Sequence, residues 1–251
     1  MRVDLNCDLG ESFGAYRIGC DEEMIAVATS VNIACGLHAG DPDVMARTVD
    51  MALRAGTAIG AHPGFPDLAG FGRREMQMAP AQVTNLIIYQ VGALQAFVHG
   101  AGGRLNHVKP HGALYNMAAK KDELAEAIAI GIKKIDPNLI LYGLSGSRLI
   151  KAGKKMGLRV AQEVFADRSY KADGTLTSRS HPLAVIHDPE VAALRVMQMV
   201  SSQTVQAIDS SILSLEADTV CLHGDNPSSL DMAQRLRRCL EEEGIEIRAL
   251  G

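Results

Sequence analysis

The sequence contains no run of about 18 consecutive apolar residues, the minimum that a membrane-spanning helix needs. Its opening, M-R-V-D-L-N-C-D, has an aspartate where a signal peptide would have its apolar core. The five cysteines are an odd number and include no C-x-x-C pair, which argues against a disulfide framework and against a zinc knuckle. We therefore expect a protein of the reducing cytoplasm with no membrane partner.

Basic clusters are also missing. The 25 Lys and Arg residues and 29 Asp and Glu residues give a formal net charge of -4, and both signs are spread along the chain. Proteins that follow a nucleic-acid backbone carry a basic patch or stripe. The charge pattern therefore argues against nucleic-acid binding and favours a small polar substrate.

Motifs of several common enzyme classes are absent. There is no G-x-x-x-x-G-K-[ST] phosphate loop, so no sequence motif identifies an ATP site in this chain. The absence of G-x-S-x-G argues against a serine nucleophile. A divalent metal is possible but not favoured, because the chain has no H-E-x-x-H motif and no predicted helix presents an H-x-x-x-H pair.

The composition is that of an ordinary globular protein, with 251 residues, 47% hydrophobic and 22% charged. We expect one domain over residues 1–251. Short apolar segments alternate with helical ones, which indicates a parallel sheet. The predicted strands are 2–6, 30–35, 57–62, 105–109, 139–142, 158–165 and 219–223. The predicted helices are 21–28, 43–55, 80–98, 121–135, 147–156, 190–200 and 229–243. The pattern favours a distorted (β/α) barrel of about seven mainly parallel strands.

The stretch from Ser30 to Asp67 is the part of the sequence around which we expect the rest of the chain to be arranged. It contains two apolar runs, N-I-A-C-G-L-H-A-G-D-P and A-I-G-A-H-P-G-F-P-D, that both lead through small residues to a histidine followed by glycine or proline. Between them, Asp41 and Pro42 give a helix N-cap and a proline at the first helical position. A strand-helix-strand unit of this kind places both strand ends at one opening.

Polar side chains follow the carboxyl ends of the predicted strands, where parallel α/β folds form their active sites. Each of them alone has an ordinary explanation, such as a hydrogen-bonded histidine or a helix cap. Together they predict one shared cavity. Candidate catalytic residues are Asp8, Glu11, His38, His62, Lys109 and His111. Candidate substrate-binding residues are Asn6, Asn32, Glu163, Asp167, Arg168, His223 and Asp225.

Lys109 is the most specific of these residues, because it ends an otherwise apolar strand and is followed by Pro110 and His111. Burying a lysine is costly unless a carboxylate or an anionic ligand keeps it charged. Asp8, Glu11 and Glu163 are all candidates for that carboxylate. A lysine exposed at the strand terminus is the structural alternative.

Long motifs spread over the whole chain resemble the LamB/YcsF family. They are D-L-N-C-D-L-G-E-S-F-G (4–14), N-I-A-C-G-L-H-A-G-D-P (32–42), I-G-A-H-P-G-F-P-D-L-A-G-F-G-R-R (59–74), H-V-K-P-H-G-A-L-Y-N (107–116), E-V-F-A-D-R (163–168) and H-G-D-N-P (223–227). The resemblance implies ATP-dependent opening of 5-oxo-L-proline to L-glutamate, carried out with separate B and C subunits of a 5-oxoprolinase. It also implies a barrel similar to the glycoside hydrolase and deacetylase type.

The chemistry of such a reaction suggests roles for the candidate residues. A lactam is a poor electrophile, and phosphorylation of its oxygen by ATP would allow an activated water to attack the ring carbon. We expect Asp8 and Glu11, helped by His38 or His62, to act as bases, and Lys109 to face developing negative charge.

The remaining candidates would bind the substrate or move a proton. We expect His111 and His223 as proton donors to the ring nitrogen, and Arg168 as a clamp for the substrate carboxylate. Asn6 and Asn32 would supply hydrogen bonds.

Two other functions fit the same residues. A metal-dependent deacetylase acting on a sugar amide would share the fold and the acid-histidine opening. Alternatively, the chain could be a non-catalytic subunit that presents a small ligand to its partners.

Overall fold

The computed structural model describes residues 1–222 and 227–251, and seven parallel strands among them close into a barrel. The strands of the chain are β1 (Arg2–Leu9), β2 (Ser30–Ala34), β3 (Ala58–His62), β4 (Leu105–Val108), β5 (Ile140–Leu144), β6 (Arg159–Phe165), β7 (Thr204–Gln206), β8 (Ile212–Ser214), β9 (Thr219–Leu222) and β10 (Glu246–Ile247). The barrel order is β1-β2-β3-β4-β5-β6-β9, and β9 closes it by pairing with β1. The predicted distorted barrel of parallel strands is therefore confirmed.

Two smaller features are added to the barrel. Strand β10 pairs with the start of β1, and β7 and β8 form a separate antiparallel hairpin. The sequence analysis predicted neither of them, because each strand has only two or three residues, too few to show an alternating pattern.

The helices follow the strands in the manner of βα units. They are α1 (Asp21–Ile25), α2 (Pro42–Ala55), α3 (Pro80–Gly100), α4 (Gly112–Ala118), α5 (Asp122–Ile135), α6 (Arg148–Lys155), α7 (Pro189–Ser202) and α8 (Pro227–Glu242), with a short 3-10 helix at Leu68–Gly70. The predicted start of α2 is confirmed, since Asp41 accepts hydrogen bonds from the amides of Asp43 and Val44. Among the described helices, none combines the length and the apolar character that crossing a membrane would take.

Alternation along β1 separates the apolar core from a polar barrel interior. Val3, Leu5 and Cys7 are fully buried in the hydrophobic core. The side chains between them point the other way, because Asp4 and Asn6 bond to residues of other barrel strands. Polar groups therefore fill the barrel from its base to its carboxyl-terminal opening.

Asp4 occupies the base of this interior. Its carboxylate accepts hydrogen bonds from the hydroxyls of Thr29 at 2.6 Å, Ser30 at 2.8 Å, Tyr142 at 3.1 Å and Thr219 at 2.6 Å. Burial raises the pKa of Asp4, and these hydroxyl donors oppose that rise. The four donors come from three segments of the chain, which are thereby tied to one carboxylate of β1.

Candidate active site

A cavity of about 370 Å³ opens at the carboxyl ends of the strands. Six of the residues that the sequence analysis selected line it, although they come from distant parts of the chain. They are Asp8, Glu11, His62, Lys109, His111 and Arg168. The expectation that strand ends deliver polar groups to one opening thus holds for the placement of these six residues.

Lys109 lies at the floor of the cavity and is almost completely buried. Its Nζ atom is 2.9 Å from Oδ1 of Asp8, 2.8 Å from Oε1 of Glu163 and 3.0 Å from Oδ1 of Asn6. Burial alone favours the neutral amine, but attraction to the two carboxylates outweighs it and raises the pKa of Lys109 well above its usual range. Lys109 is therefore an ammonium group held in place on several sides.

Glu163 lies behind Lys109 and has no exposed surface. The hydroxyl of Tyr115 donates to its Oε2 atom at 2.6 Å. Tyr115 belongs to α4, a seven-residue helix that the sequence analysis did not predict. The only hint of this contact was the motif H-G-A-L-Y-N, in which Tyr115 follows His111 by one helical turn.

Two histidines face each other beside the cavity. The Nδ1 atom of His62 lies 2.7 Å from the carbonyl oxygen of Lys109, and the Nε2 atom of His111 lies 2.8 Å from the carbonyl oxygen of Phe71. Because a carbonyl can only accept, these nitrogens carry the protons of the neutral rings. The other two nitrogens, Nε2 of His62 and Nδ1 of His111, are 2.9 Å apart.

His38 and Glu11 complete this group. The ring of His38 is fully buried and stacks on the ring of His111, with centroids 3.8 Å apart and an interplanar angle of 6°. Oε1 of Glu11 lies 3.8 Å from Nε2 of His38 and 3.7 Å from Nδ1 of His111. Burial holds the pKa of both His38 and His111 well below the usual value, and it raises the pKa of Glu11.

Two glycines make room for the stacked rings. A Cβ atom at Gly64 would lie 2.6 Å from Nδ1 of His38, and one at Gly72 would lie 2.7 Å from Cδ2 of His111. Gly72 also has a φ of +64°, which favours glycine over other residues. The sequence therefore uses glycine where the backbone must approach the histidines closely.

Asn6 and Asn32 lie one layer below the cavity and do not line it. Asn32 donates through Nδ2 to Oδ1 of Asn6 at 2.8 Å and to Oδ1 of Asp8 at 2.9 Å. The Nε2 atom of His107 lies 2.8 Å from Oδ1 of Asn32, and burial lowers the pKa of His107 to about 3. These amides orient Asp8 and Lys109 from beneath. The sequence analysis missed His107, although its two-residue spacing from Lys109 places both on one strand face.

Arg168 lies at the rim of the cavity, and its guanidinium also donates hydrogen bonds to the backbone of the surrounding loop. It donates to the carbonyl oxygens of Ala184 and Thr177 and so fixes the excursion 166–187, the long connection between β6 and α7, beside the opening. Asp167 is half-buried in the same excursion and does not line the cavity. The predicted residues His223 and Asp225 lie outside the described part of the chain.

Further basic residues line the cavity near Arg168, and the sequence analysis did not select them. They are Arg73, Lys120, Lys171 and Arg179. No motif marks them, because they come from three separate connections between elements, and only the fold brings them to one rim. Their charge makes the entrance favourable for an anionic ligand.

Comparison with known proteins identifies the family. The model of the LamB/YcsF family matches residues 3–251. A protein of Heliobacterium modesticaldum that is named as the A subunit of 5-oxoprolinase is 63% identical over 249 residues, which cover 99% of this chain and 98% of that protein. The crystal structure of a lactam utilization protein from Thermus thermophilus has a TM-score of 0.94 and 46% identity, and the match covers 100% of both chains.

A more distant likeness concerns the fold alone. The catalytic domain of a peptidoglycan N-acetylglucosamine deacetylase from Eubacterium rectale has a TM-score of 0.53 at 10% identity, over 99% of this chain and 88% of that domain. This confirms the expected similarity to barrels of the deacetylase type. The family match over nearly the whole length, together with relatives more than half identical, leads to the conclusion that this chain belongs to the LamB/YcsF family.

Proposed function

We propose that this chain is the A subunit of an ATP-dependent 5-oxoprolinase. In this proposal it works with B and C subunits in the cytoplasm and opens the lactam of 5-oxo-L-proline to give L-glutamate. The names of its relatives support this assignment. The observation that carries it is the position of Lys109, a buried ammonium at the floor of a cavity that is of a size typical for small ligands.

The reaction requires an activated lactam and an activated water. Transfer of the γ-phosphoryl group of ATP to the lactam oxygen makes the ring carbon electrophilic. Addition of water to that carbon and cleavage of the C–N bond gives γ-glutamyl phosphate and the free amine. A second water then hydrolyses the acyl phosphate, so that glutamate, ADP and phosphate are the products. A fixed cation stabilises the negative charge that develops on oxygen in such a sequence. We assign that role to Lys109.

The water needs a base, and two carboxylates line the cavity. Asp8 is oriented on one oxygen by Lys109 and Asn32, at 2.9 Å each, and its other oxygen lies 3.3 Å from Nε2 of His62. Glu11 lies across from it beside His111. Preorganisation of this kind favours a base held in one position, so we assign the base to Asp8 first and to Glu11 second.

The other groups serve binding. The basic rim, which includes Arg73, Lys171 and Arg179, favours entry of an anion such as the substrate carboxylate or a phosphate. We no longer assign His111 the role of proton donor to the ring nitrogen. The proton of its neutral ring is directed to the carbonyl oxygen of Phe71. The lack of a phosphate-loop motif agrees with a nucleotide site that the partner subunits supply in whole or in part.

The test is ATP-dependent release of glutamate from 5-oxo-L-proline, measured with this chain and the B and C subunits together, and with each of the three left out in turn. The proposal expects turnover only when all three are present. Asp8→Asn should abolish turnover while the complex still assembles. Unchanged turnover in the Asp8→Asn, Glu11→Gln double variant would favour a ligand-presenting role, and ATP-independent release of acetate from an N-acetylated sugar would favour a deacetylase.

A further inference from the structure

The ends of β2, β3 and β4 bring three histidines together with a glutamate from the loop after β1. One nitrogen each of His38, His62 and His111 and one carboxylate oxygen of Glu11 all lie within 4.8 Å of one another. We propose that this cluster binds a divalent transition metal ion, with zinc as the first candidate. Glu11, His62 and His111 also line the cavity assigned to the lactam reaction, but binding of the ion can be measured without that reaction.

The protonation of His62 and His111 is the first argument. Each ring donates one N–H to a backbone carbonyl, of Lys109 and of Phe71 respectively. In the neutral rings, two nitrogen lone pairs therefore face each other across 2.9 Å. Two lone pairs at that distance repel unless a positive charge lies between them or beside both. The arrangement thus calls for a cation.

The neighbouring carboxylates strengthen this argument. Oδ2 of Asp8 lies 3.3 Å from Nε2 of His62, and Oε1 of Glu11 lies 3.7 Å from Nδ1 of His111. An ionised carboxylate is also an acceptor, so oxygen and nitrogen acceptors converge on the same point. Histidines that bind metals usually direct their second nitrogen to a carbonyl or carboxylate, as both of these rings do.

His38 provides a second, independent observation. It is fully buried, and within the part of the chain that the structure describes neither of its ring nitrogens has a hydrogen-bond partner. Buried polar atoms are rarely left in this state, because each loses its hydration without compensation. Binding of an ion by Nε2, the nitrogen nearest to Glu11, would satisfy one of them.

The ring orientations indicate the order of binding. A lone pair lies in the plane of its ring, and His62 stands edge-on to both other rings, at 84° to His38 and 87° to His111. His38 and His111 are stacked, so both cannot point at one ion until one of them turns. Glu11, His62 and His111 are therefore the primary ligands, and His38 is the fourth after a change of its side-chain torsion.

The spacing and the ligand types fit a transition metal. Bonds of about 2.0 to 2.1 Å in a tetrahedral zinc site place the ligand atoms about 3.3 Å apart. The separations His62–His111, Glu11–His111 and Glu11–His38 are 2.9, 3.7 and 3.8 Å, and all four ligand atoms lie within 4.8 Å of one another. The three primary ligands are therefore already close to the spacing of a zinc site. Imidazole and carboxylate ligands suit zinc and its first-row neighbours better than calcium or magnesium. No spacing motif marks this cluster along the chain, because each ligand follows a different strand.

The experiment measures the ion directly. The full-length chain is purified without added metal and without a histidine tag, its metal content is determined by mass spectrometry, and the chelator-treated protein is titrated with Zn²⁺ by calorimetry. Co²⁺ then serves as a spectroscopic probe of nitrogen ligation. The variants are His62→Ala and the milder Glu11→Gln. His99→Ala, at an exposed histidine on α3, is the matched control.

The proposal expects one ion per chain, a dissociation constant below about 1 μM, and visible Co²⁺ absorption. Affinity should fall at least about 100-fold in His62→Ala and about 10-fold in Glu11→Gln, with no change in His99→Ala. A dissociation constant above about 1 μM, or equal affinity in the folded variants and the wild type, would overturn it. So would NMR evidence that His62 and His111 share a proton in a chain that binds no metal. Glutamate release by the three-subunit complex remains a separate result.

Discussion

The Nζ atom of Lys109 lies 2.8 Å from Oε1 of Glu163, and both side chains are almost fully removed from solvent. The same ammonium is 2.9 Å from Asp8, so one cation offsets two carboxylates. Breaking a buried ion pair from one side leaves an uncompensated charge, which is strongly destabilising. The contacts that hold Lys109 toward the cavity therefore also hold β1, β4 and β6 together at the barrel opening.

Tyr115→Phe should weaken this arrangement without changing any charge. The variant loses the 2.6 Å hydrogen bond to the buried Glu163 carboxylate, and we expect the free energy of unfolding to fall by about 1.5 to 3 kcal/mol. Urea denaturation measures the change. Tyr89→Phe, on the exposed side of α3, should leave stability unaltered. Equal stability of the two variants would mean that the bond to Glu163 contributes nothing.

Asp4→Ala should be among the most damaging substitutions in the barrel. It deprives four hydroxyl groups of their acceptor and leaves a space at the base, and we expect a loss of about 3 to 5 kcal/mol. Asp50→Ala, at an exposed acid on α2, is the control. Thermal unfolding of both proteins provides the comparison, and a midpoint for Asp4→Ala close to that of wild type would contradict this account of the barrel base.

Asp21 predicts a pH dependence of stability. Burial raises its pKa to about 6, against the backbone hydrogen bond from Gly10. A carboxyl whose pKa is higher in the folded state stabilises the fold below its unfolded pKa of about 3.9, and that contribution is lost as the pH rises through about 6. Asparagine does not ionise, so the Asp21→Asn variant does not lose this stability as the pH rises. The stability of the variant relative to wild type should therefore increase from pH 4.5 to pH 7.5.

The expected gain for Asp21→Asn is about 1 to 2 kcal/mol, because partial exposure screens the effect. Urea denaturation at the two pH values measures it. Glu22→Gln, which alters an exposed acid in the same helix, should show the wild-type pH profile. A constant difference between Asp21→Asn and wild type across this range would show that Asp21 does not titrate there.

The substitution Gly60→Ala would test how tightly the side chains inside the barrel are packed. A Cβ atom at this position of β3 would overlap the imidazole of His107, which stacks on Tyr142 with ring centroids 4.0 Å apart and has little space to move. We expect Gly60→Ala to destabilise the fold by more than about 3 kcal/mol or to prevent folding. Gly92→Ala is the control, because nothing lies within 4 Å and alanine favours the helix by up to about 1 kcal/mol. Similar unfolding midpoints for both variants would contradict this packing.

The sequence predicted the barrel because each of its seven strands shows an apolar or alternating pattern of its own. The alternation of Val3, Asp4, Leu5 and Asn6 separates two faces, and Asp41 with Pro42 marks a helix start. Such signals are local, so they can be recognised from a few neighbouring residues without knowledge of the rest of the fold. Helix α4 was missed because its seven residues begin at Gly112, shortly after Pro110, and are too few to show a periodic pattern.

Strand patterns in the sequence also predicted which residues lie near the site. They did not predict which of these residues bond to one another. Strand ends identified Asp8, His62 and Lys109 as neighbours, because parallel strands deliver their ends to one side. Which groups would be buried beneath the cavity depended on strand register, so Asn32 turned out to hold Asp8 from below. The pairing of Lys109 with Asp8 and Glu163, out of the three acids considered, was fixed only by the closed barrel.

The measurement that tests the account most directly is ATP-dependent glutamate release by the complete three-subunit complex carrying Lys109→Met. Lys151→Met, at an exposed lysine on α6, is the control, and copurification with the partner subunits shows that each variant is folded. The account predicts that kcat falls about 100- to 1000-fold for Lys109→Met and is unchanged for Lys151→Met. A folded Lys109→Met complex that turns over within about twofold of wild type would contradict the claim that this cavity opens the lactam.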